Sequence, residues 1–202
     1  MLGHAGGWPA LSTGRPRLEE SDEALVLRVA AGDRDACRVL VERHLARIVA
    51  FARRVLGDRE AAEDVAQETF LRLWTRADTW RPGTARFTTW LHRVALNLCL
   101  DRLGRRSEAP LDPAVDPRDE SPSVAALVHG REVARRVDEA MAVLPESQRI
   151  AIALCHHQGL RNIEAADAMG VTVEALESLL ARGRRTLRAR LRDLLAEMKD
   201  PA

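Results

Sequence analysis

The chain has 202 residues, of which 46% are hydrophobic and 3% aromatic, with no tyrosine and a formal net charge of +1. That length suits one domain or two small ones, and so few aromatics argue against an all-β fold. Near-neutral charge means that any case for a nucleic-acid partner must come from how charge is distributed.

Lys199 is the sole lysine, so nearly every basic side chain is a guanidinium, whose planar fork suits phosphates and guanine edges. Cys37, Cys99 and Cys155 lack CxxC spacing and sit among apolar helical residues, as reduced core thiols do. No apolar run approaches membrane-spanning length, and no basic-then-apolar leader opens the chain. A soluble, cytoplasmic protein without membrane insertion is expected.

Residues 1–17, rich in Gly and Pro and without period, read as a flexible tail. From Ser21 the pattern is helical. Ser21 can cap a helix carrying Leu25, Val26 and Val29 that stops at Gly32. Asp33 can cap a second, through Val39, Leu40, Ile48, Val49 and Val55, ending at Gly57. Asp58 opens a third, through Val65, Phe70, Leu73 and Trp74, that buries Val65, Ala66, Phe70 and Leu73, and a fourth runs from about Arg86 to Leu103. The stretch "RRSEAPLDPAVDPRDESPS" combines four prolines with five carboxylates and reads as an extended, self-repelling linker. Helical pattern resumes near Val124, with Pro145 suited to a first helical position. The expected fold is all-α: a tail at 1–17, a helical domain at 18–106, a flexible acidic linker at 107–128 and a second helical domain at 129–200.

Two faces of the first domain look unpartnered. Asp64, Gln67, Glu68 and Leu71 form an acidic-amide stripe with one apolar member, suited to a basic protein surface. In "TWRPGTARFTTWLHRVALNLCLDRLGRR" a Pro-Gly loop is expected to display Trp80, and the next helix aligns Arg86, Trp90, Arg93 and Asn97. Phe87, Leu91, Val94 and Leu98 make its core stripe. Aromatics, guanidiniums and an amide together supply what unstacked bases need: a stacking platform, phosphate charge and an edge reader. Arg102, Arg105 and Arg106 extend the basic rim.

In the second domain, "GLRNIEAADAMGVTVEALESLLARGRR" gives a short helix, a tight turn at Gly170 and a longer helix capped by Thr172. This is helix-turn-helix grammar, with Ala165 or Ala166 allowing a close crossing. Val173, Leu176, Leu180, Gly183, Leu187, Leu191 and Leu194 form the inward stripe. Glu174, Ser178, Arg182, Arg185 and Arg192 point outward, the first turns placed for base edges and the later arginines for phosphate.

A metal or thiol site on Cys155, His156 and His157 is disfavoured. Adjacent histidines on a helix diverge by about 100°, so both cannot face one ion beside Cys155. No Gly-rich phosphate loop or paired-carboxylate site appears either, so no enzymatic activity, metal or cofactor is expected.

"AEDVAQETFLRLW", "FTTWLHRVALNLCLDRLGRR" and "LPESQRIAIAL" followed by the helix-turn-helix, in that order, resemble a group IV (extracytoplasmic function, ECF) bacterial RNA polymerase sigma factor of the sigma-70 family. The resemblance covers about Glu20–Arg106 as region 2 and Val133–Leu195 as region 4. It implies that Asp64, Gln67, Glu68 and Leu71 dock on the β′ clamp helices of core RNA polymerase. It also implies that the Trp80 loop and Asn97, with Arg86, Trp90 and Arg93, capture a base flipped from the −10 element, while Arg102, Arg105 and Arg106 contact backbone. Region 4 would read the −35 element through Thr172, Glu174, Glu177, Ser178, Arg182 and Arg185 and hold the β flap. The linker would thread the polymerase channel, and an anti-sigma factor would be a partner. This chain departs from the pattern with Glu164-Ala165-Ala166 where Glu-Ile-Ala is usual, Gly183 where alanine is common, and Glu177 and Leu179 where arginines are frequent. The alternative is a stand-alone helix-turn-helix regulator with an N-terminal signal-binding or dimerisation domain, which would not need an exposed single-strand platform.

Overall fold

The computed structural model describes residues 20–108 and 125–192; the tail, most of the acidic linker and the C-terminal residues from 193 on lie outside it. Among the described residues every regular element is helical. The first block comprises α1 (Asp22–Ala30), α2 (Arg34–Leu56), α3 (Arg59–Arg76), a 3₁₀ turn (Ala77–Thr79) and α4 (Phe87–Glu108). The second comprises α5 (Ala125–Ala142), α6 (Glu146–Ile152), a π-helical turn (Ala153–His157), α7 (Asn162–Met169) and α8 (Val173–Arg190).

Capping chemistry starts these helices where expected. Ser21 Oγ accepts from the Ala24 amide at 3.2 Å, Asp33 from Asp35 and Ala36, Asp58 from Ala61 at 3.0 Å, and Thr172 Oγ1 from Ala175 at 3.2 Å. Gly57 ends α2 in the left-handed conformation (φ 69°) that a side chain would disfavour. Pro145 differs from expectation by one position: it is the extended N-cap residue of α6, not the first helical one.

The apolar stripes of α1, α2, α3 and α4 meet in one core that includes Leu25, Leu40, Phe51, Val65, Leu73 and Leu91, all fully buried. Asp22 ties α1 to α2, accepting from Arg43 Nη1 at 2.8 Å and lying 2.7 Å from His44 Nε2. Those two partners, His44 first, hold its carboxyl below the ordinary value despite burial. The buried side chains of α6, α7 and α8 belong to the same core, so the two blocks pack against each other.

Trp74 stands 37% exposed, whereas its neighbour Leu73 is fully buried, because successive helical residues point about 100° apart.

Gly183 marks the crossing of α6 and α8. A Cβ there would stand 3.2 Å from Ile152 Cγ1 and 3.5 Å from Gln148 Cβ. The helix-propensity loss of about 1 kcal/mol is thus tied to a close approach that a side chain would obstruct. Gly183→Val is expected to destabilise the chain by roughly 1–3 kcal/mol through overpacking, read as a lower urea midpoint at unchanged m-value.

Candidate nucleic-acid interface

Helix α4 has two characters. Phe87, Leu91, Ala95, Leu96, Leu98 and Cys99 are buried along one side, and Arg86 (just before the helix), Arg93 and Asn97 are exposed along the other. Trp90 lies between them in sequence, half-buried and stacked on Phe87 with ring centroids 6.0 Å apart and 27° between planes. Trp90 is thus flanked in sequence by Arg86 and Arg93, with Asn97 two turns after it.

Trp80 is 4% exposed, with its indole N–H donating to the Ala85 carbonyl at 3.1 Å and its ring edge-on to Phe87. The Pro-Gly loop folds its tryptophan inward because the loop itself supplies the acceptor the indole needs when buried. Trp80 props the loop and is not displayed by it.

On α3, Asp64, Gln67 and Leu71 are exposed and Glu68 is half-buried, its Oε1 accepting from Arg72 Nε at 3.0 Å. Trp74 continues the same stripe and was missed from sequence because aromatics are usually core. Leu71 (54% exposed) and Trp74 together make an apolar patch beside carboxylate and amide. Arg102, expected on the basic rim, donates to Asp64 Oδ2 at 3.2 Å and so joins α4 to this face. Arg105 is exposed, and the Arg106 side chain lies outside the described residues.

Helix α8 turns Leu176, Leu180 and Gly183 inward and Glu174, Glu177, Ser178, Arg182 and Arg185 outward, with Thr172 exposed at its N-cap. Arg182 Nη2 donates to Ser178 Oγ at 2.9 Å, and Asn162 Nδ2 to Glu177 Oε1 at 3.2 Å. Further along, Arg184, Arg185, Arg188 and Arg192 line an open groove of about 570 Å³ with Ala181 and Ala189. Short polar and acidic side chains come first along this face, and guanidiniums dominate later.

The segment Cys155–Gln158, unassigned by sequence reasoning, packs where the two blocks meet. Gln158 is 3% exposed, and its side-chain amide lies 3.4 Å from Nε2 of His92 on α4. Its backbone carbonyl accepts from Arg47 of α2. His92 is 1% exposed, with Nδ1 donating to the Thr88 carbonyl at 2.7 Å and its ring edge-on to Phe51. Burial pushes its basicity down, and the positive charge of Arg47 works in the same direction. Three ion pairs lie around this buried contact: Arg86–Glu164 at 3.5 Å, Arg93–Asp167 at 3.7 Å and Arg53–Asp138 at 3.0 Å. Glu164 also caps α7, accepting from the Arg161 guanidinium and backbone N–H at 2.9 Å each. The Arg161 hydrogen bond in particular keeps its carboxyl below the ordinary range. Burial raises the Cys155 thiol and pushes Cys99 up to about 12, so neither is a ready thiolate at neutral pH. The described residues contain no cluster of three or more metal-ligating side chains, and none of the described helices is long and apolar enough to cross a membrane.

Residues 40–108 match the family model for Sigma-70 region 2, and residues 134–187 match that for Sigma-70, region 4. The chain is 33% identical over 180 residues to the ECF RNA polymerase sigma factor SigE of Mycolicibacterium smegmatis, a match spanning 85% of this chain and 69% of that protein. It is 32% identical over 192 residues to the RNA polymerase sigma-H factor of Pseudomonas aeruginosa, spanning 89% and 98%. The structure is similar to CnrH in its complex with the cytosolic domain of CnrY, with TM-score 0.64, 27% identity, and 86% and 99% of the two chains covered. The sigma factor RpoE in complex with the anti-sigma factor NepR from Bartonella quintana shares the fold, with TM-score 0.62, 20% identity, and 77% and 96% covered.

A base whose folded-state affinity for protons is depressed takes up a proton on unfolding, so stability is lost as pH falls below its ordinary value of 6.5. The chain is expected to lose stability through His92 as pH falls below the ordinary histidine value of 6.5. His157, also depressed by burial, adds to the same window. The diagnostic is therefore the comparison of urea midpoints across pH: His92→Gln should show a shallower decline than the unsubstituted chain.

Proposed function

We propose a division of labour that proceeds from one premise: the chain belongs to the extracytoplasmic function (ECF) class of sigma-70 RNA polymerase sigma factors. It binds core RNA polymerase in the cytoplasm and directs initiation at promoters carrying its −35 and −10 elements. It supplies specificity and makes no bond itself. The observation that carries this reading is the match to region 2 and region 4, in that order, on two helical blocks.

In this division the domain at 18–106 docks on polymerase through α3. Leu71 and Trp74 supply apolar contact, and Asp64, Gln67 and Glu68 meet basic side chains of the β′ clamp helices. The α4 face receives the melted −10 strand. Trp90 stacks on an unpaired base, Asn97 reads an edge, and Arg86, Arg93, Arg105 and Arg106 hold phosphates. Trp80 supports this surface from beneath. Arg102 belongs with Asp64, at the seam between the polymerase face and the DNA face. The domain at 129–200 reads the −35 duplex through Thr172, Glu174, Glu177, Ser178, Arg182 and Arg185, with the later arginines of α8 on backbone, and holds the β flap. The linker at 107–128 follows the polymerase channel between them. An anti-sigma factor is the expected inhibitory partner, as the complex of the related fold with NepR suggests.

The test is reconstitution with core RNA polymerase on a library of genomic upstream fragments, with run-off transcripts as readout. Transcripts that depend on the chain support the reading, and failure to associate with core polymerase overturns it. Leu71→Asp should weaken core binding by about tenfold or more, as expected for an interface anchor. Because Leu71 is half exposed, the fold should change by less than ~0.5 kcal/mol. Asn97→Ala should leave core binding intact and reduce open-complex formation by roughly tenfold, the worth of a lost base-edge contact of ~1–3 kcal/mol, measured by permanganate reactivity of the melted strand.

A further inference from the structure

The outward face of α8 carries Glu174, Glu177 and Ser178 ahead of its arginines, and their local commitments differ. Glu174 sits in the first turn, where its own backbone N–H and the Thr172 hydroxyl hold its carboxyl below the ordinary value. A carboxylate there serves the helix N-terminus, whose free amides and positive dipole end favour negative charge. Ser178 Oγ accepts from Arg182 Nη2 at 2.9 Å, and the Ser178 carbonyl accepts from Arg182 Nε at 3.3 Å. These commitments close within α8 and its cap.

Glu177 is held from another helix. It lies beyond the first turn, where the dipole has faded. Asn162, the first residue of α7, donates from Nδ2 to Glu177 Oε1 at 3.2 Å. An ionised carboxylate only accepts, so the amide must turn its NH₂ toward Glu177. Its oxygen then faces the Cys155 sulfur at 3.9 Å, a thiol that burial keeps protonated. The outcome is an exposed carboxylate oriented across the helix-turn-helix, with only Oε1 engaged among the described residues.

The N-terminal turns of a recognition helix are the ones that reach base edges in the major groove. There a carboxylate finds donors in the exocyclic amines of cytosine (N4) and adenine (N6). Guanine presents O6 and N7, and thymine O4, so either would leave a desolvated carboxylate facing acceptors. A guanidinium at the same place has the opposite preference, for guanine.

We propose that Glu177 selects cytosine or adenine at one base pair of the −35 element, on the strand it faces, and that Asn162 positions it. Guanine or thymine at that place is rejected, so the residue discriminates by exclusion as well as by attraction. The assignment of α8 to the −35 duplex rests on the functional reading above.

The test uses holoenzyme reconstituted from core RNA polymerase and the full chain, on a promoter recovered by the run-off screen. Each base pair of its −35 region is replaced in turn by the other three. Transcript yield is measured for the unsubstituted chain, Glu177→Arg, Glu177→Ala and Asn162→Asp. Both residues are exposed, so the substitutions should leave the fold intact. One base pair should require cytosine or adenine on one strand, with roughly tenfold loss for guanine or thymine, the scale of a single mismatched pair. Glu177→Arg should turn that position, and no other, to guanine. Asn162→Asp keeps the amide's shape but cannot donate, so it should flatten the preference at the same base pair alone. A merely structural defect would lower yield at every position alike. A preference that Glu177→Arg leaves unchanged, or weakens at every position equally, overturns the proposal. So does a Glu177→Ala chain with higher yield on every −35 sequence, the result if the carboxylate only repels phosphates. Full preference in Asn162→Asp overturns the positioning role. If no form directs transcription, the functional reading falls and this proposal with it.

Discussion

Everything in this molecule depends on helix α4 being two things at once. Phe87, Leu91, Leu96 and Cys99 anchor it in the core, which fixes the direction in which Arg86, Arg93 and Asn97 must point. A helix buries only one stripe, so the rigidity bought by the core positions the reading face at no further ordering cost. His92 is the exception on that helix, a polar group inside the protein whose needs are met by Thr88 on its own helix and Gln158 from the other block. That single residue couples the packing of the first domain to the position of the second.

The packing of the two blocks is tied to this contact: the imidazole and amide, both buried, satisfy one another where water does not reach. The surrounding ion pairs add orientation more than strength.

Local chemistry was the part legible in the sequence. Ser21, Asp33, Asp58 and Thr172 each start a helix because a cap needs only residues three or four positions away. The outward face of α8 was equally legible, since the 3.6-residue period decides which side chains share a stripe. The tryptophans were not. Trp80 looked displayed because a Pro-Gly loop is ordinarily outside, yet a carbonyl five residues on satisfies its indole and allows it inward. Trp74 drew no role from the sequence, yet it stands exposed beside Leu71. The Gln158–His92 contact was beyond reach for a different reason. His92 lies 66 residues earlier in another block, and a π-helical turn shifts the helical register just before Gln158.

The most direct measurement is the distance between the two helical blocks in solution. Spin labels on cysteines introduced at the exposed positions Glu63 of α3 and Ala181 of α8, in a chain whose native cysteines are replaced, report it by double electron–electron resonance. Blocks joined by the shared core and the His92–Gln158 contact give a single narrow distance. A broad distribution of distances would contradict that packing.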